Sequence, residues 1–123
     1  MTTGYIDTNI LIDYFGGHLP AKAALERFTD LKLPAVVYIE FMAGLKTSEQ
    51  ERAVDKVIDA LFEVVQTDME ICREAARLRQ KSRVKLPDLM IYATARVGKG
   101  VLVTRNIRDF DGDEDDVYVP YGV

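Results

Sequence analysis

Four short apolar runs, GYI at 4–6, LPAVV at 33–37, VLVTR at 101–105 and VYVP at 117–120, are separated by longer segments whose apolar residues recur with helical period. Brief, apolar, β-branched runs of this kind read as buried strands, and strands that alternate with helices pair in parallel beneath them. The chain is thereby constrained to an α/β fold in which helices cover both faces of one sheet. At 123 residues, 48% of them hydrophobic, the length suits a single domain over 1–123 with one core, and neither a repeat nor a linker interrupts it.

The helical segments carry their own start signals. PAKAALERF, 20–28, is expected to be helical, and YIEFMAGL, 38–45, follows directly from the second strand with Glu40 in its first turns. SEQERAVDKVIDALFEVV, 48–65, opens with a capping box from Ser48 to Glu51 and lines up Val54, Val57, Ile58, Leu61 and Phe62. TDMEICREAARLRQKSR, 67–83, repeats the pattern, with Thr67 and Glu70 as the box and Ile71, Ala75 and Leu78 as the stripe. The two are expected to pack as antiparallel neighbours. Pro87 fits the first helical position of PDLMIYATARVG, 87–98, which sets Asp88 in the first turn, where free N–H groups and the helix dipole tolerate a carboxylate.

Composition excludes several classes. No apolar run approaches the roughly 20 residues of a membrane span, and MTTGYIDTN lacks the basic start and apolar stretch of a secretory signal, so a cytoplasmic protein with no membrane role is expected. Cys72 is the only cysteine, which removes intramolecular disulfides and thiolate metal sites; it is expected in the core, on a helix face. His18, the only histidine, lies in the loop-like GGHLP, without a serine or cysteine nucleophile to serve. Met42, Met69, Met90 and most of the tyrosines fall where core packing is their expected role.

The net charge of −4 argues against a nucleic-acid partner only as an average. Six of the twenty acids fall in DFDGDEDD, 109–116, and the remaining fourteen are outnumbered by sixteen lysines and arginines. Arg77, Arg79, Lys81, Arg83 and Lys85 gather in RLRQKSRVK, and Arg96, Lys99, Arg105 and Arg108 lie further on. Such runs also serve as solvated helix faces, so they permit RNA binding without establishing it. The acidic stretch is not an EF-hand: counted from Asp111, its sixth position is Asp116 where glycine is needed, and its twelfth is Gly122 where glutamate is needed. A solvated acidic loop is expected there.

Four acids fall where this fold converges. Asp7 and Asp109 follow strand carboxyl ends, Glu40 lies on a helix just after a strand, and Asp88 opens a helix; ligands of open α/β sheets bind at that edge. Each acid alone has an ordinary structural role, as N-cap, exposed helix acid, helix-start acid or turn residue. Together they repel: two carboxylates about 4 Å apart oppose each other by roughly 4 kcal/mol at an effective dielectric of 20, so a cluster protonates, salt-bridges or binds a cation. A hard divalent ion, Mg²⁺ or Mn²⁺, suits carboxylate oxygens, and no His or Cys set is present to favour zinc. Such ions promote phosphodiester hydrolysis without a covalent nucleophile.

"YIDTNILIDYF", "VVYIEFMAGL", "LPDLMIYATA" and "LVTRNIRDF", in this order and over nearly the whole chain, resemble the motifs of the PIN-domain ribonucleases, most closely the VapC-type toxins of toxin-antitoxin pairs. The resemblance implies a three-layer α/β/α sandwich around a mostly parallel twisted sheet. It implies a Mg²⁺- or Mn²⁺-dependent endoribonuclease, a homodimer and inhibition by a cognate antitoxin, with higher toxin-antitoxin assembly left open. Asp7, Glu40, Asp88 and Asp109 match the acidic quartet as catalytic and metal-ligating residues. Thr8, Asn9, Thr104 and Asn106 match its supporting polar residues. Asp109 precedes Phe110 as the family's N-x-x-D-F pattern requires, while Asp111 is the alternative fourth acid.

Two other functions compete. One is a protein-binding module that acts mainly in an antitoxin and DNA complex, with an apolar groove on the 48–65 and 68–83 helices as its surface. The other is phosphotransfer at an aspartate. "DTN" lacks the second aspartate expected two residues after a phosphatase nucleophile, and no lysine follows VLVT at receiver-domain spacing.

Overall fold

The computed structural model of the protein describes residues 2–106 and 115–122. In chain order the elements are β1 (Thr3–Ile6), α1 (Thr8–Phe15), α2 (Leu19–Leu25), β2 (Asp30–Pro34), α3 (Ala35–Ala43), α4 (Ser48–Leu61), β3 (Glu63–Val65), α5 (Met69–Lys81), α6 (Leu86–Val97), β4 (Val101–Val103) and β5 (Val117–Tyr118). The strands form one sheet in the order β3-β2-β1-β4-β5, and every adjacent pair is parallel. The expected three-layer sandwich is therefore present.

The strand order fixes the layers. The crossovers from β1 to β2 and from β2 to β3 step in one direction, and the crossover from β3 to β4 returns past both. Parallel crossovers are right-handed, so the helices of the first two cover one face and α5 and α6 cover the other. The reversal lies between β1 and β4, whose register pairs Tyr5 with Leu102 and Ile6 with Val103. That is the point where an open α/β sheet leaves a crevice at its carboxyl edge.

Both layers press on a core in which Ile6, Ile10, Leu11, Leu33, Val37, Ile58, Ile91, Leu102 and Val103 are almost entirely buried. Truncating one such aliphatic to alanine costs about 2–5 kcal/mol. Tyr5 explains two glycines: its ring lies where side chains of Gly98 and Gly100 would stand, so the turn from α6 into β4 can lie against β1 only without a Cβ at either position. A smaller cluster of Ile71, Ala75 and Ala93 joins α5 to α6, with two alanines allowing close approach.

Several expectations shift. LPAVV is not one strand: β2 begins upstream at Asp30 and ends at Pro34, and Ala35–Val37 open α3. Val37 is fully buried as a helical residue, and that packing overrides its local β preference. The helix expected over 48–65 stops at Leu61; Phe62 turns to extended geometry and Glu63–Val65 become β3, paired with Lys32, Leu33 and Pro34. A three-residue edge strand is too short to show alternation, and Phe62 prolongs the helical stripe through it. Because β3 intervenes, α5 crosses to the other face and packs along α6 instead of pairing with α4.

Both caps lie one residue from their expected places. Thr47 caps α4 in a box with Gln50, and the Asp68 side chain caps α5 through the Ile71 N–H. In each case two capping residue types are adjacent, and sequence does not rank them. Cys72 is exposed, not in the core, because the buried stripe of α5 runs through Ile71 and Ala75, one helical step away. Met69, at the start of α5, is also exposed, whereas Met42 and Met90 pack against the core as expected. His18 is an exposed residue at the start of α2, its ring edge-on to Tyr121.

Candidate active site

Asp7 is the first residue beyond β1. Its N–H continues the sheet ladder by donating to the Val103 carbonyl, and its side chain caps α1, with Oδ1 accepting the Thr8 N–H at 2.7 Å. The carboxylate is therefore held by a strand on one side and a helix start on the other, and only 4% of the residue is exposed. Oδ2 accepts the Thr104 hydroxyl at 2.7 Å and the Asn9 amide at 3.3 Å.

Thr104, the first residue beyond β4, is fully buried, and its N–H donates to the Tyr118 carbonyl. Its Oγ1 accepts from the Asn106 N–H at 3.0 Å and from Asn9 Nδ2 at 3.3 Å. Asn9 Oδ1 in turn accepts the Arg105 N–H at 3.3 Å. Thr104, Asn9 and Asn106, from two strand ends 95 residues or more apart, thus form one hydrogen-bonded group around Asp7. Thr8 serves a different acid: its hydroxyl donates to Glu40 Oε1 at 2.6 Å and ties α1 to the exposed side of α3.

Burial pushes the Asp7 carboxyl above the usual carboxylate range. The hydrogen bonds from Thr104 and Thr8 oppose that rise, and the negative charges of Asp88 and Glu40 add to it. Asp88 and Glu40 are therefore each near enough to Asp7 to repel its charge, with Asp88 half-buried in the first turn of α6. Asp109, the alternative Asp111 and most of the acidic loop lie outside the described residues; of that loop, Asp115 and Asp116 are described.

The donor chemistry suits a hard cation: every acid offers oxygen alone, and a buried carboxylate beside two like charges is stabilised by positive charge. Among the described residues, no group of three or more His, Cys, Asp or Glu stands close enough together to hold a metal.

Of the nine basic residues singled out in the sequence, Arg108 lies outside the described residues and Lys99 is exposed just past α6; the other seven divide into two sets. Arg77 and Arg96 bind Glu74, Arg79 donates to the Val84 carbonyl, and Arg105 binds Asp13, so these four serve internal contacts. Lys81, Arg83 and Lys85 are exposed, and among the described residues none has a salt-bridge partner. Lys85 is the N-cap of α6, three residues before Asp88, so this basic turn borders the acids. Asp13 and Tyr121 carry no sequence signal; Asp13 Oδ2 accepts from both Arg105 and Tyr121, 92 and 108 residues further along the chain.

A family model described as the PIN domain matches residues 4–112. Among solved structures, a toxin-antitoxin complex from Klebsiella pneumoniae contains a chain 36% identical, matched over 98% of this chain and 99% of that one with a TM-score of 0.89. VapBC2 from Rickettsia felis, bound to a DNA fragment from its promoter, is similar at 20% identity over 87% and 90% of the two chains, with a TM-score of 0.76. FitAcB from Neisseria gonorrhoeae is similar at 19% identity over 98% and 99%, with a TM-score of 0.77. No curated protein sequence matches significantly. With the family model spanning most of its length and a full-length relative at 36% identity, the chain belongs to the PIN domain family.

Proposed function

We propose that this protein is a toxin of a toxin-antitoxin pair, a Mg²⁺- or Mn²⁺-dependent endoribonuclease that its antitoxin neutralises. The observation that carries the reading is Asp7: a buried carboxylate at the sheet's reversal point, raised by burial and further by Asp88 and Glu40, in a family whose members are nucleases. Asp7, Asp88 and Asp109 would hold the metal, and Glu40 would hold a second ion or direct the attacking water. A divalent cation among these oxygens supplies charge that stabilises a phosphodiester under attack by water.

The chain's own residues do the rest. Thr104 and Asn9 fix the rotation of Asp7 by donating to Oδ2, and the Thr8 N–H holds Oδ1. The Thr8 hydroxyl fixes Glu40 through Oε1, so that Oε2 would be the oxygen that meets the second ion or the attacking water. Lys81, Arg83 and Lys85 would bind phosphates flanking the scissile bond.

A partner chain is supported by the full-length likeness to a member of a toxin-antitoxin complex, and DNA binding by that partner by the promoter-bound relative. A cleft of about 360 Å³, lined by Tyr14, Leu25, Phe28, Leu31 and Leu61 together with the charged Lys22 and Glu26, is consistent with protein binding. It lies between α1–α2 and α4, not on α4 and α5 as the sequence pattern predicts. A homodimer is proposed from the family resemblance. Among the described residues no helix is long and apolar enough to cross a membrane.

The test is to incubate the chain, freed from antitoxin, with total RNA, and to map new ends with Mg²⁺ or Mn²⁺ against EDTA, beside Asp88→Asn. Discrete metal-dependent ends missing from the variant are expected. Their absence with a folded, metal-saturated protein would favour the binding-module reading.

A further inference from the structure

Arg105 stands between Thr104 and Asn106, and its side chain pairs with Asp13 on α1. Its Nε donates to Asp13 Oδ2 at 2.9 Å, and the same oxygen accepts the Tyr121 hydroxyl at 2.7 Å. Hydrogen bonds from Tyr121 and Arg105, with the Arg105 charge, outweigh burial and hold the Asp13 carboxyl below the usual range, so it is ionised. The Arg105 and Asp13 side chains are only 29% and 21% exposed, so their pair is less screened than a surface salt bridge. The His18 ring packs edge-on against Tyr121 with centroids 4.9 Å apart, covering the phenol from α2.

A continuous chain of hydrogen bonds connects this cluster to Asp7. Asp13 and Asn9 lie on the same short helix, α1, whose N-cap is Asp7. The Arg105 N–H donates to Asn9 Oδ1, Asn9 Nδ2 donates to Asp7 Oδ2 and to Thr104 Oγ1, and Thr104 donates to Asp7 Oδ2. Residues 104–106 are thus held twice against α1: once by the polar group around Asp7, and once from behind by the Arg105 guanidinium. Were the second tie released, a small slide of this segment would take the Thr104 hydroxyl off a buried carboxylate.

We propose that Asp13, Arg105 and Tyr121 are positioning residues, a clasp of carboxylate, guanidinium and phenol that fixes residues 104–106 and so keeps Thr104 and Asn9 on Asp7. The inference rests on the ribonuclease reading for its effect on catalysis, but its structural part stands apart from it. Among the described residues, no hydrogen bond or salt bridge joins the side chains of the clasp to Asp7, Glu40 or Asp88. Its loss acts on their orientation and therefore on turnover, where displacements near 1 Å cost up to about a hundredfold.

The experiment uses the full chain and the variants Tyr121→Phe, Asp13→Asn, Arg105→Met and Arg105→Lys. Amide hydrogen exchange on metal-free protein is expected to quicken at Arg105 and Asn106 in Tyr121→Phe and Asp13→Asn, with the β1 amides at their wild-type rates. In RNA cleavage, Arg105→Met is expected to lower kcat by roughly tenfold to a hundredfold with KM within about twofold, and Arg105→Lys to recover part of it. Wild-type exchange at both amides overturns the clasp. So does a kcat loss that Arg105→Lys leaves unrepaired and that merely follows a fall in Tm, because that pattern describes general destabilisation. A wild-type chain that cuts no RNA overturns the ribonuclease reading instead, and the exchange rates still decide on the clasp.

Discussion

The Thr104 hydroxyl donates to Asp7 Oδ2 at 2.7 Å, joining the carboxyl ends of two neighbouring strands across 97 residues of sequence. Thr104→Val keeps the shape and removes the donor, leaving the buried carboxylate oxygen with the longer Asn9 contact among the described residues and removing the Oγ1 that accepts the Asn106 N–H. We expect a stability loss of about 1–3 kcal/mol in urea denaturation at neutral pH. Thr104→Ser, which keeps the hydroxyl, should lose under about half of that. Equal midpoints for Thr104→Val and wild type would show that the hydrogen bond contributes nothing net.

Asp7 gives the fold an unusual dependence on pH. Its carboxyl is raised above the unfolded value of 3.8, first by burial and then by Asp88 and Glu40. Between the unfolded and the folded value, the folded state binds more protons, so this group's contribution falls as pH rises through that interval. Above it, the penalty is complete. Asp7→Asn removes the ionisation, so in EDTA its Tm relative to wild type should climb from about pH 4 to pH 7. Adding Mn²⁺ at neutral pH should raise the Tm of wild type and leave that of Asp7→Asn in place.

The same two residues show what sequence could and could not reveal. That Asp7 caps a helix after a strand was legible from DTN before an apolar set, since capping is local chemistry. That Asp88 and Glu40 approach it follows from strand order, which the alternation of elements constrains. The Asp13, Arg105 and Tyr121 contact was not legible, because bonds from a helix to two segments far along the chain leave no periodic trace. The β3 strand escaped for the opposite reason: helical period ran on through Phe62, and only pairing with β2 turns Glu63–Val65 into a strand.

Arg96 reports on the far layer. Its Nε meets Glu74 at 2.9 Å, another guanidine nitrogen meets Asp116 at 3.1 Å, and the group lies over the Tyr92 ring. Arg77 first, and Arg96 after it, hold the Glu74 carboxyl below its ordinary value of 4.5. Glu74 therefore adds stability that is fully present above that value and is lost as pH falls through the lowered one. Arg96→Met should cost roughly 1 kcal/mol near pH 7, since the guanidinium is partly exposed, and the deficit should shrink as pH falls below the ordinary Glu74 value of 4.5. A deficit constant over that range would place the loss in packing on Tyr92 instead of in the ion pairs.

Among the described residues two turns carry left-handed backbone, and they should respond oppositely. Lys99, just past α6, has φ of +57°, while Gly17, just past α1, has φ of +84°. A side chain in that region costs about 1–2 kcal/mol, which glycine avoids. Lys99→Gly is expected to raise stability by up to about 1 kcal/mol, after the greater freedom of glycine in the unfolded chain is subtracted, and Gly17→Ala to lower it by a similar amount. Equilibrium urea unfolding of both variants measures the two signs together.

Lys81, Arg83 and Lys85 border Asp88 without salt-bridge partners among the described residues, whereas Arg77, Arg79, Arg96 and Arg105 are committed to internal contacts. If RNA phosphates lie along this turn, each contact releases counterions and adds about 0.7 to the slope of log affinity against log salt for a single strand. Replacing the three with glutamine should lower that slope by about 2 and weaken binding without changing which ends are produced, because phosphate contacts position and do not read bases. Asp88→Asn, which keeps the turn intact, should leave the slope near its wild-type value while cleavage stops. Salt-dependent binding of one RNA to the three proteins separates these effects. A slope unaltered by the triple glutamine variant would mean that the substrate approaches the acids from the α1–α3 side, where Ile12 and Ile39 are exposed and this turn has no part.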